Sequence, residues 1–122
     1  MSDKNCTVQQ LRNRTKRFIE ERDWEQFHTL KDLGMGLSIE AAEFMENLRF
    51  VPEVELYFRL NDDGELIKDL SDELADVLYF VLAISNFLEI DLSQAFESKM
   101  LDNKIKYSIA EHRGINKKYN EH

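Results

Sequence analysis

The chain has 122 residues, 43% of them hydrophobic and 11% aromatic, the make-up of one globular domain with an ordinary core. A formal net charge of -8 argues against a groove that neutralises nucleic-acid phosphates, but not against a small phosphorylated ligand held through a divalent cation. Charged residues at 33%, with only 4 Gly and 1 Pro, favour helices over a turn-rich β fold.

The N-terminal stretch Met1 to Gln10 has no apolar signal core. Leu74 to Leu88, the most apolar segment, is interrupted by Asp76 and too short to span a bilayer. A cytoplasmic protein is expected. Cys6 is the single cysteine and reads as a passive free thiol.

In chain order, Thr7 to Arg22 carries Val8, Leu11, Phe18 and Ile19 at helical spacing, and Asp23 is placed to end that helix or to cap a short turn with Trp24 and Phe27. A second helix is clearer. Leu33, Leu37, Ala41, Phe44 and Leu48 recur at three- and four-residue steps, Thr29 and Asp32 resemble a capping box, and Pro52 closes the pattern. Glu53 to Lys68 reads as an irregular connection around the turn Asn61-Asp62-Asp63-Gly64. A third helix is expected from about Asp69 to Glu89, with Leu70, Leu74, Val77, Val81, Ile84 and Leu88 as its stripe. A fourth runs from Ser93 to about Ser108, with Phe96 and Met100 inward; Phe44, Phe87 and Phe96 are core residues by default. The reading is an all-α domain over residues 1–110, an antiparallel four-helix bundle, followed by a frayed tail over 111–122.

Two acidic pairs stand out: Glu40 and Glu43 on the second helix, Glu73 and Asp76 on the third. Residues three apart lie roughly 60° apart on one helix face. Glu40 sits at the edge of the stripe formed by Leu37 and Phe44, and Glu73 stands in the same relation to Leu70 and Val77. Packing the two seams together brings four carboxylates into one cleft, where they repel one another and raise their own pKa values. A hard divalent cation resolves that conflict, and Mg²⁺ favours carboxylate oxygens together with substrate phosphates. Solvated helix faces remain the plain alternative for either pair taken alone. Glu46, Asp69 and Asp72 extend the acidic series as outer groups or solvated charges.

Glu-x-x-Glu on one helix followed by Glu-x-x-Asp on the next resembles the signature of the MazG-like, all-α nucleoside triphosphate pyrophosphohydrolases. The intervening gap, Phe44 through Asp72, is long for that group. Arg22-Asp23-Trp24-Glu25-Gln26-Phe27-His28 is similar to the block that precedes the metal helix in dCTP pyrophosphatases. Asp72 to Leu78 resembles their third-helix block, and Lys99-Met100, Asn103 and Lys106-Tyr107 resemble the run on their last helix. The likeness covers roughly Leu11 to Tyr107. It implies that Glu40, Glu43, Glu73 and Asp76 bind Mg²⁺ and position the attacking water. It further implies that Lys99, Asn103, Lys106 and Tyr107 hold phosphates or sugar, and that Trp24, Phe27 and His28 line the base pocket, with Phe50 and Phe80 at two further aromatic positions. Phe50 stands where some relatives carry Trp, Phe80 replaces a Tyr, and Ser108 stands where Pro follows the Tyr. The implied reaction is hydrolysis of a deoxynucleoside triphosphate, best dCTP or a modified dCTP, to the monophosphate and pyrophosphate, cleaning the nucleotide pool. Assembly into dimers or tetramers is implied as well, with no polymeric nucleic acid or membrane as partner.

Other readings stay in view. Glu25-x-x-His28 has the spacing of a ligand pair in a di-metal carboxylate bundle, but neither His112 nor His122 has a Glu three residues before it. Gly34-Met35-Gly36 lacks the Gly-Lys-Ser/Thr of a phosphate loop and reads as a local relaxation. A non-catalytic nucleotide-binding bundle is the alternative from a different class.

Overall fold

The computed structural model describes residues 1–62 and 64–121; part of the turn expected at 61–64 and the last residue of the tail lie outside them. It is all-helical, as expected, and divides into two compact units, Met1–Glu89 and Ile90–His122.

In the first unit, α1 spans Val8–Glu21. It opens on a reciprocal box: the Gln10 amide donates to Thr7 Oγ1 at 3.1 Å, and the Thr7 amide donates to Gln10 Oε1 at 2.7 Å, satisfying two otherwise orphaned donors. It closes on Asp23, whose φ of 52° is left-handed. The Asp23 amide donates to Glu20 O and the Trp24 amide to Ile19 O, each at 3.1 Å, the Schellman pattern with aspartate where glycine is usual. This reversal folds Trp24 back onto α1, where its ring meets Phe18 edge-on at 5.7 Å.

After a 3₁₀ turn at Glu25–Phe27, α2 spans Leu30–Glu46. Thr29 caps it by accepting from the Asp32 amide at 3.1 Å, one half of the expected box. Glu53–Leu60, expected to be irregular, forms a helix, α3, and Pro52 opens it rather than closing the helix before. Proline's fixed φ suits a helix start. Glu53 and Glu55 in the first turn and Arg59 in the last also complement the helix dipole.

α4 spans Glu65–Leu88, starting four residues before the expected position, directly after Gly64 in a left-handed conformation, φ 87°. It is the hub, packing against α1, α2 and α3. Gly36 faces Phe80 and Glu40 neighbours Asp76, so α2 runs antiparallel to α4. Arg12 bonds Asn86 while Phe18 meets Tyr79, so α1 is antiparallel to α4 too.

Among the described residues the buried apolar set is Ile19, Leu33, Leu66, Leu82 and Ala83. Ile19, Leu33 and Ala83 form one cluster, with Tyr79, Phe80 and Ile84 packed against it. Ser85 is 1% exposed and satisfies its hydroxyl on the Leu82 carbonyl at 2.7 Å. Several residues of the expected stripes lie outside this core. Leu74, Leu88 and Phe87 are about half exposed, and Phe96 is 68% exposed. The apolar pattern along the helices is thus wider than what one chain buries. That excess is why a core list drawn from periodicity overshoots.

In the second unit, α5 spans Leu92–Lys106, capped by Asp91 accepting from the Gln94 amide at 2.9 Å. A short helix, α6, follows at Ile109–His112. In the segment expected to fray, the Tyr119 ring meets Tyr107 edge-on at 5.9 Å, and Lys106 Nζ lies 5.0 Å from the Tyr119 ring centre.

Candidate active site

The antiparallel pairing of α2 and α4 brings the two acidic pairs together. Oxygens of Glu40, Glu73 and Asp76 all lie within 4.8 Å of one another, and the Glu43 carboxyl stands close enough to raise both Glu40 and Glu73. Oε2 of Glu40 and Oε2 of Glu73 are buried and have no hydrogen-bond partner among the described residues. Burial, then Glu43, then the charges of Asp76 and Glu73 push the Glu40 carboxyl up to about 7. Glu73 is raised as well, by desolvation first and by Glu43 next. Like charges held this close favour proton uptake or a cation. Two orphaned, inward oxygens in an all-oxygen donor set fit a hard divalent ion.

The outer acids are placed differently. Glu46 and Asp69 are exposed, and Asp72 is taken by Lys68, whose ammonium donates to its carboxylate at 2.7 and 2.9 Å.

A cavity of about 460 Å³ opens beside the cluster, bordered by Glu40 and Asp76 and walled by Phe18, Trp24, His28, Tyr79 and Phe80. The wall is a chain of edge-on rings: Trp24 on Phe18, Phe18 on Tyr79 at 5.9 Å, Tyr79 on Phe80 at 5.1 Å. The Arg22 guanidinium covers the outer face of Phe18 at 3.8 Å. Burial raises the Tyr79 phenol above its usual value against the pull of Arg22, so its hydroxyl stays neutral and can donate or accept. Flat aromatic walls with a few polar tips, next to a cation-ready carboxylate cluster, suit a heterocycle carrying phosphates.

Of the residues singled out in the sequence, Trp24, His28 and Phe80 line this cavity. Phe27 lies outside its wall and is 63% exposed. Phe50 is 87% exposed, left-handed at φ 63°, and covered by Arg49 at 4.4 Å. Lys99, Asn103, Lys106 and Tyr107 belong to the second unit. Lys99 is exposed, Asn103 and Lys106 are half-buried, and Tyr107 packs on His112 at 5.2 Å. Phe18 and Tyr79 were missed. Tyr79 stands three residues after Asp76 and so shares its face, a signal the sequence did contain. Phe18 reaches the cavity because α1 packs against α4, where its ring meets Tyr79, a tertiary contact that no periodicity announces.

No protein-family profile matches the chain. It is 32% identical to bovine (Bos taurus) dCTP pyrophosphatase 1 over 115 residues, spanning 94% of this chain and 68% of the bovine protein. It is 33% identical to the mouse (Mus musculus) dCTP pyrophosphatase 1 over 115 residues, 94% of this chain and 67% of the mouse protein. The fold is similar to the crystal structure of a pyrophosphatase from Archaeoglobus fulgidus, with a TM-score of 0.75, 27% identity, and coverage of 88% of this chain and 98% of that one. With an all-α fold that carries two acidic pairs into one cleft, and with these relatives along nearly its whole length, the chain belongs to the dCTP pyrophosphatase family and is a hydrolase acting on nucleoside triphosphates.

Proposed function

We propose that the chain hydrolyses the α–β phosphoanhydride of a deoxynucleoside triphosphate in a Mg²⁺-dependent reaction, with dCTP or a 5-substituted dCTP among its best substrates. The observation that carries this reading is the pair of orphaned, buried Oε2 atoms of Glu40 and Glu73 in a carboxylate cluster that borders an aromatic cavity. Glu40, Glu43, Glu73 and Asp76 would hold the ion, which when bound supplies charge neutralisation to the phosphates. Glu43, the exposed member of its pair, accepts the proton of the attacking water. The water oxygen bonds to the α phosphorus, the bond from that phosphorus to the α–β bridging oxygen breaks, and monophosphate and pyrophosphate leave. Trp24 stacks on the base, His28 and Tyr79 offer hydrogen bonds to its edge or to the sugar, and Phe80 closes the wall. Lys99, Asn103, Lys106 and Tyr107 are proposed to hold phosphate or sugar, on the likeness of their run to that of dCTP pyrophosphatases. Phe27 and Phe50, outside the cavity wall, keep only that likeness in support.

Domain 1–110 with a C-terminal tail, and assembly into dimers or tetramers in the cytoplasm, belong to the same proposal. Support for assembly comes from exposed apolar side chains on α3, including Val54, Tyr57 and Phe58, more than a lone small chain ordinarily leaves in water. A monomer by light scattering at micromolar concentration would refute it. The central test is pyrophosphate release from common and 5-substituted nucleotides, with and without Mg²⁺. A tenfold lead of dUTP or of a ribonucleotide over dCTP would overturn the base assignment, and binding without release would favour a non-catalytic nucleotide-binding bundle.

A further inference from the structure

Gly36 lies well inside α2, where glycine is unfavourable relative to alanine. Its neighbour Gly34 is equally helical, yet a Cβ added at Gly34 would meet nothing within 4 Å. At Gly36 the same atom would lie 2.6 Å from Phe80 Cζ and 2.9 Å from Phe80 Cδ1, with Cε1 nearer still. The Phe80 ring therefore occupies the space that any other residue at position 36 would fill. The same side chain borders the cavity shared with Trp24, His28, Glu40 and Asp76.

We infer that Gly36 is a positioning residue that sets the width of the base pocket: by giving up its Cβ it lets Phe80 recess into α2 and leaves the cavity open for a nucleobase. The inference rests on the proposed reading of this cavity as the base site. A methyl group at position 36 pushes the ring off α2, and the open volume that Phe80 borders is the cavity itself. Gly36 touches no substrate; it acts through Phe80. A methyl's worth of volume in an apolar pocket discriminates by about 10- to 200-fold, so pocket width at this ring sorts bases by bulk.

The test is steady-state kinetics of pyrophosphate release from dCTP. Gly36→Ala should raise KM about tenfold with kcat within about twofold, the mark of lost binding common to ground and transition states. Gly34→Ala, which adds the same methyl to the same helix in open space, should leave KM unchanged. In a Phe80→Leu background Gly36→Ala should alter KM by less than about twofold, because Cε1 and Cζ, the nearest of the atoms it displaces, are gone. An unchanged KM in Gly36→Ala, or a KM rise that persists in the Phe80→Leu background, would overturn the inference. Should Gly36→Ala fail to fold, Phe80→Leu alone carries the test in the opposite sense. It should lower the KM for a purine deoxynucleoside triphosphate relative to dCTP by about tenfold, and an unchanged ratio would overturn the inference. If the wild type released no pyrophosphate from any nucleotide, the proposed activity would fall by itself. The same variants would then be compared by the dCTP concentration that half-quenches Trp24, the single tryptophan, with the same shifts expected and the same result overturning the inference.

Discussion

Removing the Asn86 side chain should cost about 2 kcal/mol of stability. Arg12 Nε donates to Asn86 Oδ1 at 3.0 Å, and Asn86 Nδ2 donates back to the Arg12 carbonyl at 3.0 Å, tying α1 to the far end of α4. Arg12 Nη2 also reaches the Ser85 carbonyl at 3.3 Å, a bond that Asn86→Ala leaves in place. The bond from a charged donor contributes about 1.5 kcal/mol and the neutral one about 1 kcal/mol, both half-buried. Alanine's better helix propensity returns about 0.5 kcal/mol. For a domain of this size the net loss corresponds to a fall in Tm of about 8 °C. Urea titration followed by circular dichroism measures it, and a cycle with Arg12→Ala should show a coupling of about 1 to 2 kcal/mol. A loss below about 0.5 kcal/mol, within the range of ordinary surface changes, would refute the view that this pair fastens α1. Since α1 carries Phe18 to the cavity wall, the same variant should also weaken nucleotide binding.

Glu43→Gln and Asp76→Asn should each lower kcat by at least about 100-fold with helicity unchanged by circular dichroism; retention of most activity in either would take the cluster out of the mechanism. Trp24→Ala should raise KM by about tenfold or more while kcat stays within about threefold, and a kcat-only loss would remove the stacking role. For pH, the Glu40 carboxyl is raised from 4.5 to about 7, by burial and then by Glu43. The metal-free folded chain therefore holds a proton that the unfolded chain releases. Its stabilising contribution is complete below pH 4.5 and lost as pH rises through about 7. In EDTA the urea midpoint should fall from about pH 5 to about pH 7.5 more steeply in the wild type than in Glu40→Gln; equal slopes would contradict the assignment.

The acidic pairs were legible because three-residue spacing beside an apolar stripe survives into the helix unchanged, and their meeting needed only that α2 and α4 pack seam to seam. The α3 helix was hidden by Pro52 and by the turn residues from Asn61 onward, which advertise a break. Yet Val54, Tyr57 and Phe58 carry helical spacing, and the charges at the ends agree with a helix. Core membership was the least legible part. Leu74, Phe87 and Phe96 look like inward residues because helical spacing marks the whole apolar stripe without saying which part of it is buried. The pocket wall was read in part: Trp24, His28 and Phe80 came from local blocks, whereas Phe18 depends on the packing of α1 against α4 and Gly36 on a neighbour 44 positions away in the chain.

Along α4 the acidic pair stands between buried residues and does not mix with them. Glu73 and Asp76 sit in its first half; of its buried residues Leu66 precedes them, and Leu82, Ala83 and Ser85 lie nearer its end. Asp76 and Ala83 are separated by about two helical turns, roughly 10 Å. Carboxylates crowded together oppose folding when no cation is present, so substitutions that neutralise them relieve the chain rather than undo it. Glu73 and Asp76 are themselves outside the buried set, so a chain stripped of this acidic pair should keep the packing that folds α4.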